Sequence, residues 1–195
     1  INDIAPWFKD GSVSKLEAIS AEPLLTLPCD EFLGKGAATS KYISPTGHEI
    51  TIEGSPKFVD AYFKALKWSE PFPNAHSYIN QWINCVIEDV DEKYIGKDTV
   101  ATSNHTTKTA FISPIFVRVR QTEEDLFIRF ISLLAHEGGW NEYFINTPVE
   151  KRLWHGKGYI NATEREIEAL KEMDAREGLI ESNREEIRDC IERVQ

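Results

Sequence analysis

The sequence predicts an α+β fold, with a small and mostly antiparallel sheet and about five helices. Short runs of alternating apolar and polar residues lie between turn residues, which is typical of antiparallel strands. Longer segments carry apolar residues at helical spacing behind capping residues. The segments follow the order hairpin, helices, strands, helices, which lacks the strict strand–helix alternation of a doubly wound fold.

A hairpin and a helix are predicted in the first half of the chain. Within residues 42–52, Pro45 and Gly47 stand between two short apolar stretches, as in the turn of a hairpin. Ser55 is followed by proline, and this pair is preferred at the start of a helix. We expect that helix to run to about Trp68.

Four further elements are predicted in the middle of the chain. A helix should cover residues 75–90, and the alternation in residues 115–120 predicts a strand. The next helix should begin after Thr122 and end at the glycine pair 138–139, because glycine commonly ends helices. A short strand is predicted around residues 143–145.

The C-terminal segment is predicted to form two helices. Thr163 and Ser182 each have a glutamate three residues later, which is the capping-box pattern. The Gly-Lys-Gly sequence at 156–158 is interpreted as a turn before them. We therefore predict a single α+β domain over residues 1–160 and an acidic helical pair over residues 161–195, packed on that domain or on a partner.

The charge of the chain is acidic and unevenly distributed. The formal net charge is −10, and residues 121–195 hold 17 Asp and Glu against 10 Lys and Arg. Residues 61–120 hold 6 acidic against 7 basic residues. Because a strongly acidic surface repels nucleic acids and anionic lipids at long range, nucleic-acid contact is expected only through residues 57–120.

The remaining composition predicts a cytoplasmic protein without a cofactor. No stretch of 18 apolar residues is present, so a membrane-spanning helix is not expected. The three cysteines are far apart and odd in number, which favours reduced thiols over a disulfide framework. The chain has neither a GxGxxG nor a P-loop motif.

Two His-Glu pairs are candidates for a metal site. They are His48 with Glu49 in the predicted hairpin and His136 with Glu137 in the last turn of a predicted helix. A helix-borne zinc hydrolase needs histidines at i and i+4 with a glutamate between them. Neither pair has this spacing, so a metal site requires the two pairs to meet in space. His136 alone also fits a histidine that interacts with the helix dipole.

The basic residues of the middle third are candidates for nucleic-acid contact. Three lysines share one face of the predicted helix, and two arginines and a phenylalanine share one face of the predicted strand. An aromatic ring beside arginines can stack on a base. The candidates are Lys57, Lys64, Lys67, Phe116, Arg118 and Arg120. A solvated helix face and a charged edge strand explain the same residues.

No motif in the chain specifies a reaction, so a non-enzymatic protein is favoured. We predict a non-enzymatic acidic binding protein with a regulatory role that acts through a protein partner, for example by engaging a basic or nucleic-acid-binding surface. The alternatives are a DNA- or RNA-binding regulatory module and a metal-dependent hydrolase built on the His-Glu pairs. An acidic surface that only maintains solubility also fits the composition.

Overall fold

A computed structural model describes residues 37–91, 93–95, 99–114, 123–152, 156–176 and 181–194. The strands are β1 (Ala38–Ile43), β2 (Glu49–Gly54), β3 (Cys85–Glu88), β4 (Ala101–Asn104) and β5 (Thr109–Ile112). The α-helices are α1 (Pro56–Ser69), α2 (Pro73–Trp82), α3 (Glu123–Asn146), α4 (Lys157–Asp174) and α5 (Glu181–Val194), and a 3-10 turn covers Val149–Lys151. The predicted α+β class is confirmed.

The five strands form one mixed sheet in the order β1-β2-β3-β5-β4. The two outer pairs, β1 with β2 and β4 with β5, are antiparallel. The inner pairs, β2 with β3 and β3 with β5, are parallel. The parallel step from β2 to β3 is made by α1 and α2, because parallel neighbours need a long crossover connection.

The hairpin and α1 form where the sequence predicts them. Gly47 has a φ of +86°, which glycine adopts without steric cost. The Ser55 hydroxyl accepts a hydrogen bond from the Phe58 N–H and caps α1. Both features are local, so turn and capping residues alone were sufficient to predict them.

The prediction of one helix over residues 75–90 is wrong. Helix α2 ends at Trp82, and Cys85–Glu88 is the central strand β3. This strand pairs on both sides, with β2 and with β5. Long-range pairing of the β-branched Val86 and Ile87 therefore prevails over the helical spacing of apolar residues in this segment.

The main core lies between one face of the sheet and the helices. Val86, Ala110 and Ile112 on that face are buried with residues of all five helices. Tyr62 of α1 stacks on Phe130 of α3 with ring centroids 4.0 Å apart. The opposite face carries a smaller buried cluster of Cys85, Ile87, Ile95 and Phe111.

The glycine pair at 138–139 does not end α3, contrary to the prediction. The helix continues to Asn146, so the predicted strand around 143–145 is also wrong. A Cβ placed on Gly139 would lie 2.5 Å from the Cα of Ala162 on α4. Glycine is present here because the two helices approach closely, and it has no terminating role.

The C-terminal helices share the main core. Helix α4 begins at Lys157, six residues before the predicted cap Thr163, and it includes most of the predicted turn at 156–158. Leu170 and Met173 of α4 and Ile187 of α5 are fully buried in the main core. The Glu172 carboxylate accepts hydrogen bonds from the backbone N–H groups of Asn74 and Ala75, at 3.0 and 2.7 Å. This carboxylate therefore caps the first turn of α2.

The two remaining predictions concern a strand over residues 115–120 and the absence of a membrane-spanning helix. The strand predicted over residues 115–120 lies outside the described residues. None of the described helices combines the length and the apolar character needed to cross a membrane.

Gly139→Ala should destabilise the protein, opposite to the usual effect of alanine in a helix. Alanine normally favours a helix interior by about 1 kcal/mol over glycine. Here the added methyl group meets the α4 backbone, and overpacking costs about 1–3 kcal/mol. Urea unfolding measures the difference. Gly138→Ala is the control with a smaller expected loss, since its nearest contact is the Tyr78 ring at 3.2 Å. An equally stable Gly139→Ala variant would contradict the close approach.

Candidate functional site

A histidine, a tryptophan and a glutamate meet between α3 and α4. His136 and Trp140 are one turn apart on α3, so they share a face of that helix. The Trp140 indole nitrogen lies 3.2 Å from His136 Nε2. Across the helix interface, Glu166 of α4 places a carboxylate oxygen 2.9 Å from His136 Nδ1. Both ring nitrogens of His136 are therefore engaged.

These contacts determine which His136 nitrogen carries the proton. An indole N–H can only donate a hydrogen bond, so Nε2 must accept from Trp140. An ionised carboxylate can only accept, so Nδ1 must carry the hydrogen that binds Glu166. The arrangement selects the neutral ring with its hydrogen on Nδ1.

Opposing effects act on the pKa of His136. Burial lowers the pKa, while the hydrogen bond to Glu166 and the charges of Glu166 and Glu137 raise it, and together they place it above its ordinary value. The Trp140 donor opposes protonation, because it binds the lone pair that a proton would take. Burial also raises the pKa of the Glu137 carboxyl, which is 3% exposed.

Trp140 belongs to a row of aromatic rings that connects three parts of the fold. It stacks on Phe144 with centroids 5.7 Å apart, and Phe144 stacks on His105 in the β4–β5 turn at 4.7 Å. Tyr159 of α4 meets the His136 ring edge to face at 6.2 Å. We call these five rings the aromatic row.

The first turn of α4 is packed on one side and exposed on the other. A Cβ on Gly158 would lie 2.5 Å from Cζ3 of Trp140, so the indole lies directly on this turn. The next two residues are turned outward, with Tyr159 36% and Ile160 54% exposed. The aromatic row therefore ends at an exposed surface that contains apolar side chains.

The two candidate His-Glu pairs occupy separate parts of the fold. His48 Nε2 lies 3.1 Å from the Ile83 carbonyl oxygen, and Glu49 pairs with Lys41 at 2.9 Å. His136 lies inside α3 and not in its last turn, which corrects the predicted position relative to the helix dipole. In the part of the chain that the structure describes, no three His, Cys, Asp or Glu side chains are grouped so that they could hold a metal.

Trp140 stands where a second metal-binding histidine would be. It is four residues after His136, which is the spacing that a helix-borne zinc site requires. Its indole N–H binds the same nitrogen, Nε2, that could otherwise ligate a metal. The hydrolase alternative stays a prediction that no observed contact supports.

The candidate nucleic-acid residues are only partly described. Lys57 is exposed on α1. Lys64 pairs with Asp60 at 2.8 Å and with Glu123 at 3.6 Å, and Lys67 pairs with Glu70 at 2.9 Å. The candidates on the predicted strand, Phe116, Arg118 and Arg120, lie outside the described residues. Two of the three lysines therefore have acidic neighbours within the protein.

A second histidine lies in a polar network that sequence reasoning missed. His76 Nδ1 is 2.9 Å from the Ser69 hydroxyl, and its Nε2 is 3.1 Å from the Tyr42 hydroxyl. Ser69 is fully buried and donates its hydrogen to the Leu66 carbonyl at 2.7 Å. Together these hydrogen bonds join β1, α1 and α2. Ser69 is not placed as a nucleophile, because its hydroxyl is buried and its hydrogen is bound by the Leu66 carbonyl.

Sequence reasoning also missed Trp140, Glu166 and Tyr159. Trp140 carried a detectable signal, because its spacing from His136 places the two on one helix face. The sequence predicts that Glu166 is the partner of a helix cap at Thr163. Its true partner is 30 residues away, so no local pattern could reveal it.

Comparison of the chain with protein-family models, curated proteins and solved structures found no match.

Trp140→Phe should raise the pKa of His136. Phenylalanine keeps the stacked ring but removes the hydrogen bond to neutral Nε2, which is worth about 1 kcal/mol. An NMR titration of the His136 ring measures the change. Trp68→Phe is the matched control, because Trp68 packs on Phe72, away from His136. A lower or unchanged pKa in Trp140→Phe would show that the indole does not stabilise the neutral ring.

Proposed function

We propose that the protein is a non-enzymatic acidic binding protein that acts through a basic surface of a protein partner. The observation that most supports this is the exposed first turn of α4. Tyr159 and Ile160 are adjacent there and are 36% and 54% exposed. Tyrosine is enriched among the residues that dominate binding energy at protein interfaces.

Several carboxylates of the acidic C-terminal half stabilise the fold. Glu142 binds Tyr78, Arg165 and Asn161, while Glu166 binds His136 and Glu172 caps α2. These contacts account for part of the acidic composition without any partner.

Other carboxylates have no such role within the described residues. Glu164, Glu185 and Glu192 are exposed, and none of them makes a hydrogen bond or ion pair to another described residue. Glu164 is one helical turn after Ile160, so an acidic group adjoins the exposed apolar pair. This combination favours a partner surface with apolar residues among basic ones.

The charge distribution favours a protein partner over nucleic acid. A net charge of −10 repels phosphate backbones, and Lys64 and Lys67 are paired with acidic residues. Basic protein surfaces, including those that bind nucleic acid in other contexts, are attracted by the same charge.

Capture from a lysate of the source cell tests the proposal. With the chain as bait and nuclease present, we expect one stoichiometric protein to be retained and then released as the salt concentration rises. Salt screens attraction between exposed charges. Loss of the captured protein on nuclease treatment would instead indicate binding through nucleic acid.

Ile160→Asp should weaken this capture by about tenfold in affinity, because an apolar contact worth roughly 1.5 kcal/mol is lost. The control is Ile43→Asp, which adds the same charge at an apolar residue of β1 that is 59% exposed. Ile160→Asp makes the bait more acidic, so weaker binding to a basic partner cannot result from charge alone. Equal capture by both variants would refute a role for the first turn of α4.

A further inference from the structure

Protonation of His136 is incompatible with its contact to Trp140. The added hydrogen would lie on Nε2 and point at the indole N–H, 3.2 Å away between nitrogens. Two donors cannot form a hydrogen bond with each other. The contact to Glu166 is strengthened at the same time, since it becomes a pair of opposite charges. The proton therefore holds His136 on Glu166 and repels Trp140.

The titratable groups that face His136 are carboxylates, which favour this protonation, and one tyrosine hydroxyl. Among the described residues they are Glu166 and Tyr159 from α4, and Glu137 from α3 itself. The two glutamates raise the pKa of His136 against the effect of burial, which favours the protonated ring. None of the described groups that shift the pKa of His136 is cationic.

Movement of Trp140 would change the packing beneath the exposed first turn of α4. The indole contacts Gly158, the residue directly before Tyr159 and Ile160, with no room for even a methyl group between them. Tyr159 also touches the His136 ring itself. The indole is therefore a support for the turn that carries the proposed partner surface.

We infer that His136 is a pH-sensitive switch, whose protonation releases the Trp140 indole and weakens partner binding at the first turn of α4. The binding consequence rests on the proposed function, whereas the coupling of His136 to Trp140 does not. Two effects weaken binding in the same direction. The turn loses its support, and a positive charge appears beside a surface that attracts basic partners.

NMR titration of the free protein tests the coupling. The Trp140 indole N–H signal, assigned by its absence in Trp140→Phe, should shift with the same midpoint as the His136 ring. His136→Gln is the informative variant. Its amide oxygen can accept from the indole and its amide nitrogen can donate to Glu166, but it does not titrate. In this variant the Trp140 signal should be independent of pH.

The binding consequence is tested with the captured partner. Affinity for the unmodified protein should fall by about tenfold below the midpoint, the size expected for one lost apolar contact. His136→Gln should bind equally on both sides of it. A His136 ring that titrates while the Trp140 signal stays constant would overturn the inference. So would a Trp140 signal that still titrates in His136→Gln.

The two proposals can fail separately. If Ile160→Asp and Ile43→Asp capture equally well, the proposed partner surface is refuted, and a shared midpoint of His136 and Trp140 still supports the coupling. If the partner is captured but its affinity is unchanged across the midpoint, the proposed function stands and the switch is overturned.

Discussion

The close approach of α3 and α4 at Gly139 and Ala162 is the constraint on which the candidate site depends. At this point the helices are so near that a side chain on residue 139 would overlap the α4 backbone. Because the two helices are so close at this contact, side chains of α3 and α4 on both sides of it come within hydrogen-bond distance of each other. His136 thus reaches Glu166 on one side, and Glu142 reaches Arg165 on the other. A wider spacing would separate both pairs.

The acidic residues of the C-terminal half have two kinds of role. Glu172 completes the hydrogen bonds of the first turn of α2, and Glu166 selects the tautomer of His136. Glu164 contributes to neither and is exposed. Net charge alone cannot separate these roles, because it counts a carboxylate that caps a helix and one that faces solvent equally. Among the described residues, the carboxylates available to a partner are those that face solvent, such as Glu164.

How much of the fold could be predicted depended on the range of the interactions that form each element. The hairpin around Gly47 and the start of α1 at Ser55 follow from residues within one turn, and both were predicted. The strand β3 depends on pairing with β2 and β5, and its local pattern suggested a helix. Gly139 was misinterpreted for the same reason, since its contact is 23 residues further along the chain.

The candidate site shows the same limit more clearly. From the sequence, the pair His136-Glu137 is predicted to supply metal ligands. The hydrogen-bond partners of His136 come from the next turn of α3 and from α4, and only the first of these is readable from spacing. The exposed pair Tyr159–Ile160 was not recognised either, because its exposure depends on which face of α4 packs on α3.

The pH sensitivity proposed for His136 and the lack of a catalytic arrangement at this residue have one physical origin. A histidine that acts as a base or as a metal ligand needs a nitrogen lone pair that is open to substrate or metal. The lone pair of His136 is occupied by the Trp140 indole, and its hydrogen is bound by Glu166. Any proton that His136 takes up must first displace a protein contact. Protonation of His136 therefore requires movement of Trp140. A switch needs such a coupled movement, whereas a catalytic histidine needs a lone pair that is open to substrate.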